Sequence, residues 1–229
     1  MAIVDHAGDR ASAVAEEARL HGAPAALGVA CDVRVEAEVA AAFDAAAAAL
    51  GSARGLFCSA GIDMGGMAHE LEQVVWDRVL DTNLRGVYLC CKHALRRFLA
   101  DDQGGAIVCT SSVMACGSIP GGSTAYSVSK AGILALVRSL AVDYARYGVR
   151  VNAILPGATE TPLMWANVAS GDVAQAREII NLEVPLGRLA TPDEPAQAAV
   201  WLLSDEASYV TGSHLVCDGG VLARLALSA

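Results

Sequence analysis

The amino-acid sequence predicts an α/β protein whose parallel sheet is covered by helices on both faces. Short runs rich in β-branched residues alternate along the chain with longer segments of helical periodicity. Connections of that length join parallel strands, and a parallel sheet needs cover on both faces. With 229 residues and 54% hydrophobic content, the chain is expected to form a single domain over residues 1–229.

The first half of the chain supplies three predicted strands and three predicted helices. Apolar runs predict strands at 2–4, ending in Asp5, at 29–33, and at 55–61, which runs into a turn of small residues. Helix-forming residues with interspersed charges predict helices at 11–20, at the alanine-rich segment 36–50, and at 72–100. The last of these is expected to break near 83–86, where an asparagine precedes a glycine by three residues.

The second half continues the alternation. Strands are predicted at 105–112, ending in hydroxyl side chains, at 148–155, stopped by Pro156 and Gly157, and at 214–217. Helices are predicted at 125–147, where apolar residues recur at helical spacing, and at 194–203. The segment 158–187 is the one long connection to which the pattern assigns no element.

Composition excludes several function classes. The formal net charge of -9, without Lys/Arg clusters, argues against binding of nucleic acid or anionic lipid and leaves small molecules and proteins as partners. The seven cysteines contain no C-x-x-C pair and are interpreted as buried thiols with no metal or disulfide role. No signal peptide precedes the first strand and charges interrupt every apolar run, so we expect a cytoplasmic protein without a membrane span.

Polar or small residues follow the predicted strands. In a parallel sheet, ligands bind beyond the carboxyl ends of the strands. Asp5, Asp32, Gly61, Ser112 and Pro156 all fall at such ends. The sequence therefore predicts one crevice lined by these positions.

Tyr126 and Lys130 are the most informative pair of residues. Four residues apart on a predicted helix, they project from one face, so an ammonium would lie beside a phenol. A neighbouring positive charge favours the ionised phenol, and the pKa of Tyr126 is therefore expected to fall toward neutrality. This predicts a proton-transfer group, and the alternative is an exposed surface pair.

Several motifs together resemble the short-chain dehydrogenase/reductase family. They occur in the family's order from about residue 2 to residue 223, and each is weak on its own. The motifs are Cys58-Ser-Ala-Gly61, Asn83-Leu-Arg-Gly86, Ser111-Ser112, Tyr126-Ser-Val-Ser-Lys130, Val149 to Gly157, Thr161-Pro162 and Asp218-Gly-Gly220.

The resemblance implies a doubly wound Rossmann-like fold, a nicotinamide cofactor and hydride transfer to or from a carbonyl or secondary alcohol. Tyr126 would exchange a proton with the substrate oxygen, Ser112 would hydrogen-bond that oxygen, and Lys130 would lower the phenol pKa and hold the nicotinamide ribose. Asn83 would position a water linking Lys130 to solvent. Ser111 competes with Ser112, which could instead cap a turn, and Asn83 could merely satisfy backbone groups at the helix break.

The resemblance also assigns cofactor contacts. Asp5 would accept hydrogen bonds from the adenosine ribose and repel a 2'-phosphate, which favours NAD over NADP. The remaining assigned positions are Asp32 and Val33 beside the adenine, Ala60 and Gly61 for close backbone approach, and Pro156, Gly157, Thr159 and Thr161 near the nicotinamide, together with Tyr126 and Lys130. Each could instead be an ordinary turn residue. Cys58-Ser59, in place of the family's asparagine pair, and Thr159, in place of an aliphatic residue, depart from its pattern.

One family element is absent from the sequence. The first strand and the Thr-Gly-x-x-x-Gly-x-Gly loop that binds the pyrophosphate do not occur, so the fold is expected to be truncated at its N-terminus. That strand lies in the middle of the family's sheet. Its neighbours should then close up, pair with another chain, or leave the residues before about Gly55 disordered.

Three explanations for this absence stay open. The chain is a fragment of an ordinary dehydrogenase, a short enzyme that binds dinucleotide weakly, or a degenerate binding or scaffold subunit that cannot hold dinucleotide. Segment 163–184 is expected to form a lid over a small alcohol or carbonyl substrate. Apolar faces on the helices carrying Asn83 and Tyr126 suggest a homodimer or tetramer, and the alternative is that these faces are internal.

Overall fold

Six parallel strands form two separate sheets in the computed structural model, which describes residues 1–166, 168 and 172–224. β1 (Ala2–Asp5) pairs with β2 (Leu27–Ala30). β3 (Gly55–Cys58), β4 (Gly105–Thr110), β5 (Val149–Pro156) and β6 (His214–Cys217) form the second sheet in that order. The predicted α/β class with parallel strands is confirmed.

Eight α-helices connect these strands within the described residues. They are α1 (Gly8–Leu20), α2 (Glu36–Leu50), α3 (Gln73–Leu80), α4 (Gly86–Asp101), α5 (Thr124–Tyr144), α6 (Pro162–Trp165), α7 (Val173–Glu183) and α8 (Asp193–Leu203). The predicted break in the long helix is a turn of π-helix, Asp81–Arg85, which joins α3 to α4. Such bulges are frequent at functional sites.

The strands end earlier than the sequence pattern indicates. The predicted strands at 55–61 and 105–112 stop at Cys58 and Thr110, so the residues that follow are free to form loops at the carboxyl edge of the sheet. The unassigned segment 158–187 contains α6 and α7. Residues 167 and 169–171 of the expected lid lie outside the described residues.

Helices cover both faces of the four-stranded sheet. On one face, residues of α4 and α5 pack with β3, β4 and β5 in the largest apolar cluster, which includes Phe98, Ile107, Ile133 and Val151. On the other face, α8 contributes Ala199 and Leu202 against Val108 and Ile154. The sheet is therefore doubly wound.

Helix α5 and the turn after it have the composition of a membrane span. Residues Thr124–Tyr147 are long enough to cross a bilayer and have a mean hydropathy of 1.3. Ile133, Val137 and Ala141 of this segment are buried in the apolar cluster beneath the sheet. A core helix of this kind passes the same test, because its inward face is apolar.

The sheet is interrupted where the missing strand was expected. Within the described residues β1 pairs only with β2 and β3 only with β4, so β1 and β3 each have one edge without a neighbouring strand. Val4 on β1 is 43% exposed and Phe57 on β3 is 40% exposed. The expectations that these strands close up, or that residues before Gly55 lack structure, are both wrong.

A small apolar cluster holds the two-stranded sheet of β1 and β2 against the rest of the domain. Cys31, Val39 and Ala42 pack against Leu89 of α4 and thereby attach the two-stranded unit to the larger one. Two ion pairs between α2 and α4 add to this contact: Lys92 with Glu36 at 2.6 Å, and Arg97 with Asp44. Apolar burial between helices thus replaces strand pairing as the link.

Candidate active site

The structure brings Tyr126 and Lys130 together at the carboxyl end of β4. Both lie in the first two turns of α5, and Lys130 is 3% exposed. Its Nζ donates a hydrogen bond to the carbonyl oxygen of Thr110 at 2.9 Å and lies 5.4 Å from the centre of the Tyr126 ring. The pair is therefore a partly buried cation over an aromatic ring, not a surface pair.

The expected direction of the Tyr126 pKa is wrong. Burial raises the pKa of this phenol above its ordinary value, and the hydrogen bond with Ser112, which lowers it, is the smaller effect. Burial likewise lowers the pKa of Lys130 to about 8. Removing both groups from water disfavours both charged forms, and this outweighs the attraction that the sequence spacing suggested.

Ser111 and Ser112 have different partners. The Ser111 hydroxyl donates to the backbone carbonyl of Lys130 at 2.8 Å and so fixes the start of α5. The Ser112 hydroxyl accepts from the Met114 N–H at 3.1 Å and lies near enough to the Tyr126 phenol to lower its pKa. Ser112 therefore caps the turn after β4 and also faces the phenol, which combines the two sequence interpretations.

Asn83 is fully buried in the π-helical turn and fastens the loop after β3. Its Oδ1 accepts from the Ile62 N–H at 2.8 Å, and its Nδ2 donates to the Ile62 carbonyl at 2.8 Å. Nδ2 also donates to Ser129 Oγ at 3.1 Å, and that hydroxyl donates to the Tyr126 carbonyl at 2.6 Å. Asn83 thus connects the turn after Gly61 to the backbone of Tyr126.

Sequence reasoning missed two residues of this site, Ser129 and Asp63. Ser129 was visible only as a small hydroxyl residue three positions after Tyr126. Asp63 is a charged residue in an otherwise apolar turn, and its Oδ1 is buried without a hydrogen-bond partner in the described part of the chain. Burial raises the pKa of Asp63, and the charge of Lys130 opposes that rise.

Small residues bring two backbone segments close to this centre. A Cβ atom at Gly61 would lie 3.4 Å from both Asn83 Oδ1 and Lys130 Nζ, which is ordinary contact. Next to Gly61, Ala60 is exposed. A Cβ at Gly157 would lie 2.8 Å from Asp218 Cα, so glycine is needed there for packing against the turn after β6.

The other positions near the expected nicotinamide make local hydrogen bonds. Pro156 ends β5 opposite Cys217. The Thr159 hydroxyl donates to the Gly157 carbonyl at 3.2 Å, and the Thr161 hydroxyl accepts from the Met164 N–H at 3.3 Å at the start of α6. These contacts shape the loop after β5, and the structure does not assign them a ligand.

The adenine-side positions lie at the ends of β1 and β2. Asp5 Oδ1 accepts from the Ala7 N–H at 2.8 Å, and Oδ2 lies 4.0 Å from Arg10. Asp32 binds the fork of Arg34, with its nearest nitrogen at 2.5 Å, and this lowers the pKa of Asp32 to about 2. Val33 packs against Gly86, where a Cβ would come within 2.7 Å of its side chain.

These residues fit two parts of a nicotinamide dinucleotide. The Lys130 ammonium has three N–H groups and one hydrogen-bonded acceptor in the described residues, which leaves donors for a ribose. Asp5 offers an acceptor at the other end. The described ranges contain no glycine-rich loop for the pyrophosphate.

Comparisons with known proteins match nearly the whole chain. The family model described as Enoyl-(Acyl carrier protein) reductase matches residues 1–222. Cis-4-hydroxycyclohexanecarboxylate dehydrogenase from Sinomonas cyclohexanicum is 45% identical over 200 residues, which is 86% of this chain and 77% of that protein. Inactive 2-(S)-hydroxypropyl-CoM dehydrogenase 2 from Xanthobacter autotrophicus is 38% identical over 94% of this chain and 93% of its own.

A solved structure with a bound dinucleotide is also similar. The gluconate 5-dehydrogenase from Burkholderia cenocepacia, in complex with NADP and tartrate, superposes with a TM-score of 0.88. It is 29% identical, and the match covers 98% of this chain and 86% of that one. The fold, the order of the sequence motifs and the sequence identity thus all indicate the same group of related proteins.

Proposed function

The chain belongs to the short-chain dehydrogenase/reductase family of NAD(P)-dependent oxidoreductases, and on that premise we propose that it transfers hydride between NAD and a secondary alcohol or its ketone. The observation that carries this proposal is the arrangement of Tyr126, Lys130 and Ser112 at the end of β4. A phenol that faces a serine hydroxyl and packs beneath a buried ammonium can hold a proton at a substrate oxygen.

Each residue of this centre has a distinct task. A bound nicotinamide supplies the hydride or accepts it. In reduction Tyr126 donates a proton to the carbonyl oxygen, for which a raised pKa is suitable because the phenol stays protonated near neutral pH. Ser112 donates a hydrogen bond to the same oxygen as charge develops there. Lys130 offers its remaining N–H groups to a ribose.

Asn83 acts in this proposal as a positioning residue. Its side chain touches the backbone of Ile62 and the hydroxyl of Ser129, and Ser129 in turn holds the backbone of Tyr126. Its contacts support a role in fixing the phenol relative to the turn after Gly61. A water held between Lys130 and solvent stays part of the proposal.

Tyr126→Phe tests the proton-transfer role. The variant keeps the ring beneath Lys130 and removes only the hydroxyl, so turnover should fall by about 10²–10⁴-fold while the melting temperature changes little. Tyr147→Phe is the matched control, because that tyrosine is 43% exposed in the turn after α5. Turnover of the Tyr126 variant at the level of the control would contradict the assignment.

The preference for NAD rests on Asp5. A carboxylate at this strand end accepts hydrogen bonds from a ribose and repels a 2'-phosphate. Asp5→Ala should therefore lower the ratio of kcat/KM for NAD to that for NADP by about tenfold, a difference of about 1.4 kcal/mol. Asp9→Ala, in the first turn of α1, is the control. An unchanged ratio would remove Asp5 from this role.

One observation favours a second candidate, a binding or scaffold subunit that does not hold dinucleotide. A relative whose match covers 94% of this chain and 93% of its own length carries the word inactive in its name. Calorimetric titration with NADH separates the candidates. Saturable binding at one site supports the oxidoreductase, and the absence of binding heat supports the subunit.

Self-association is proposed for the outer faces of α4 and α5. Val142 on α5 is 80% exposed and Val128 44%, and on α4 Tyr88 is 45% exposed. Apolar side chains on neighbouring helices form surfaces of the kind that family members bury in dimers and tetramers. Analytical ultracentrifugation tests this, with Val142→Glu expected to shift the protein toward monomer.

A further inference from the structure

Three cysteines form a buried cluster beside the candidate active site. Cys58 on β3 and Cys109 on β4 are register partners, so their side chains project from the same face of the sheet. Cys91 reaches this face from α4, and the three Sγ atoms all lie within 4.8 Å of one another. These residues, here called the thiol triad, are 7%, 0% and 0% exposed in chain order.

No motif in the sequence indicates this cluster. Its members are far apart along the chain, and the sheet register and the packing of α4 bring them together. The expectation that all seven cysteines are buried is wrong for Cys116, which is exposed. Each thiol alone could be interpreted as a small apolar side chain, but that interpretation does not explain why three buried thiols contact one another.

The spacing of the sulfur atoms suits a metal ion. A Zn–S bond is about 2.3 Å long, so three sulfurs around one ion in a plane stand about 4.0 Å apart. Cys91 and Cys109 are already 3.9 Å apart. The same separation is far from the roughly 2.05 Å of a disulfide. We propose that the thiol triad binds one thiophilic d¹⁰ cation of the Zn²⁺/Cd²⁺ class through three sulfur ligands.

Charge supports this assignment. Three thiolates and a divalent cation carry one net negative charge, and a buried charge needs a partner. Lys130 supplies one, because its ammonium binds the carbonyl of Thr110, the residue after Cys109.

Cadmium is the probe. Reduced, metal-free protein titrated with Cd²⁺ should develop the ultraviolet thiolate-to-cadmium absorption band and saturate at one ion per chain, and Cd²⁺ should displace Zn²⁺ from protein first loaded with zinc. Cadmium at about 100 times its Kd should raise the Tm by about 5–10 °C. Cys91→Ala should lose both effects. Cys116→Ala and Cys217→Ala, which leave the triad intact, should keep them.

A second measurement uses the unaltered chain and so does not depend on the folding of a core variant. Cd²⁺ should slow alkylation of Cys58, Cys91 and Cys109, as mapped by mass spectrometry, because alkylation of buried thiols requires local opening. Alkylation of the exposed Cys116 should not change. Binding that persists in Cys91→Ala, or protection that falls on Cys116 and not on the triad, would overturn the proposal. Neither readout depends on oxidoreductase activity.

Discussion

Asn83→Ala should reduce both the stability of the fold and the alignment of the candidate active site. Alanine favours helical backbone and so should preserve the π-helical turn, whereas the loss of the amide removes three hydrogen bonds. Two of these satisfy the N–H and the carbonyl of Ile62, and the third reaches Ser129. After substitution the Ile62 groups have no side-chain partner, and Ser129 keeps only its bond to the Tyr126 carbonyl.

The magnitude follows from the number of groups left without partners. A buried donor or acceptor that loses its partner costs about 1–3 kcal/mol, so two such groups lower the free energy of unfolding by about 2–6 kcal/mol. For catalysis, a displacement of the reacting group by about 1 Å costs on the order of 10²-fold in rate. We therefore expect kcat to fall by about that factor.

Asn152 offers a matched control. It is also fully buried and also bridges two backbone groups, accepting from the Ser213 N–H at 3.1 Å and donating to the Val210 carbonyl at 2.8 Å. These contacts join β5 to the segment before β6, away from Tyr126. Asn152→Ala should therefore lose a similar free energy of unfolding and keep the kcat of the folded protein.

Three measurements are needed on both variants. Urea denaturation gives the free energy of unfolding, initial rates of NADH formation at saturating alcohol give kcat, and native hydrogen exchange reports the Ile62 amide. In Asn83→Ala that amide should lose protection. If Asn83→Ala keeps the same kcat as Asn152→Ala at equal loss of stability, Asn83 has only a structural role.

Three further predictions concern charge and the link between the two units. Asp63→Asn should lower the pKa of Tyr126, because the Asp63 charge raises it, and the pH profile of alcohol oxidation should shift to lower pH. The pKa of Lys130 is about 8 in the folded protein and near 10.5 in the unfolded chain, so between these pH values the unfolded state binds one more proton. The free energy of unfolding should therefore rise with pH across this range, by about 3 kcal/mol in total. Urea denaturation should show no such rise for Lys130→Met. Leu89→Ala should lower the free energy of unfolding by about 2–5 kcal/mol and raise hydrogen exchange in β1 and β2 more than in β4 and β5. Leu202→Ala, on α8 beneath the four-stranded sheet, should not show this difference.

The elements with strong sequence signals were predicted closely, but the carboxyl ends of two strands were not. Helix α2 and strand β6 have the predicted bounds, and the break near Asn83 falls within the π-helical turn. Strands β3 and β4 end three and two residues before their predicted limits, at Cys58 and Thr110. Local pattern does not separate the last paired residue of a strand from the loop that carries the site.

The proximity of Tyr126, Lys130 and Ser112 was predictable from the sequence, whereas the direction of the Tyr126 pKa was not. Residue spacing placed Tyr126 beside Lys130, and the family motif selected Ser112 over Ser111. The direction of the Tyr126 pKa depends on burial, which a spacing argument does not contain. Asp63 and Ser129 were missed because their importance comes from long-range interactions: the Asp63 charge acts on Lys130 and Tyr126, and Ser129 accepts a hydrogen bond from Asn83.

The divided sheet links cofactor affinity to the packing of α2 against α4. Asp5 and Asp32 belong to the two-stranded unit, whereas Tyr126 and Lys130 belong to the four-stranded one, and no strand pairing fixes one unit against the other in the described residues. A dinucleotide that touches both must hold them in one arrangement, so part of its binding free energy is used for that ordering. Contacts such as Leu89 with Val39, which hold the units together beforehand, reduce this cost. Weakening them should raise the Kd for NADH far more than it changes kcat at saturation, since the proposed proton-transfer residues all lie on the four-stranded side.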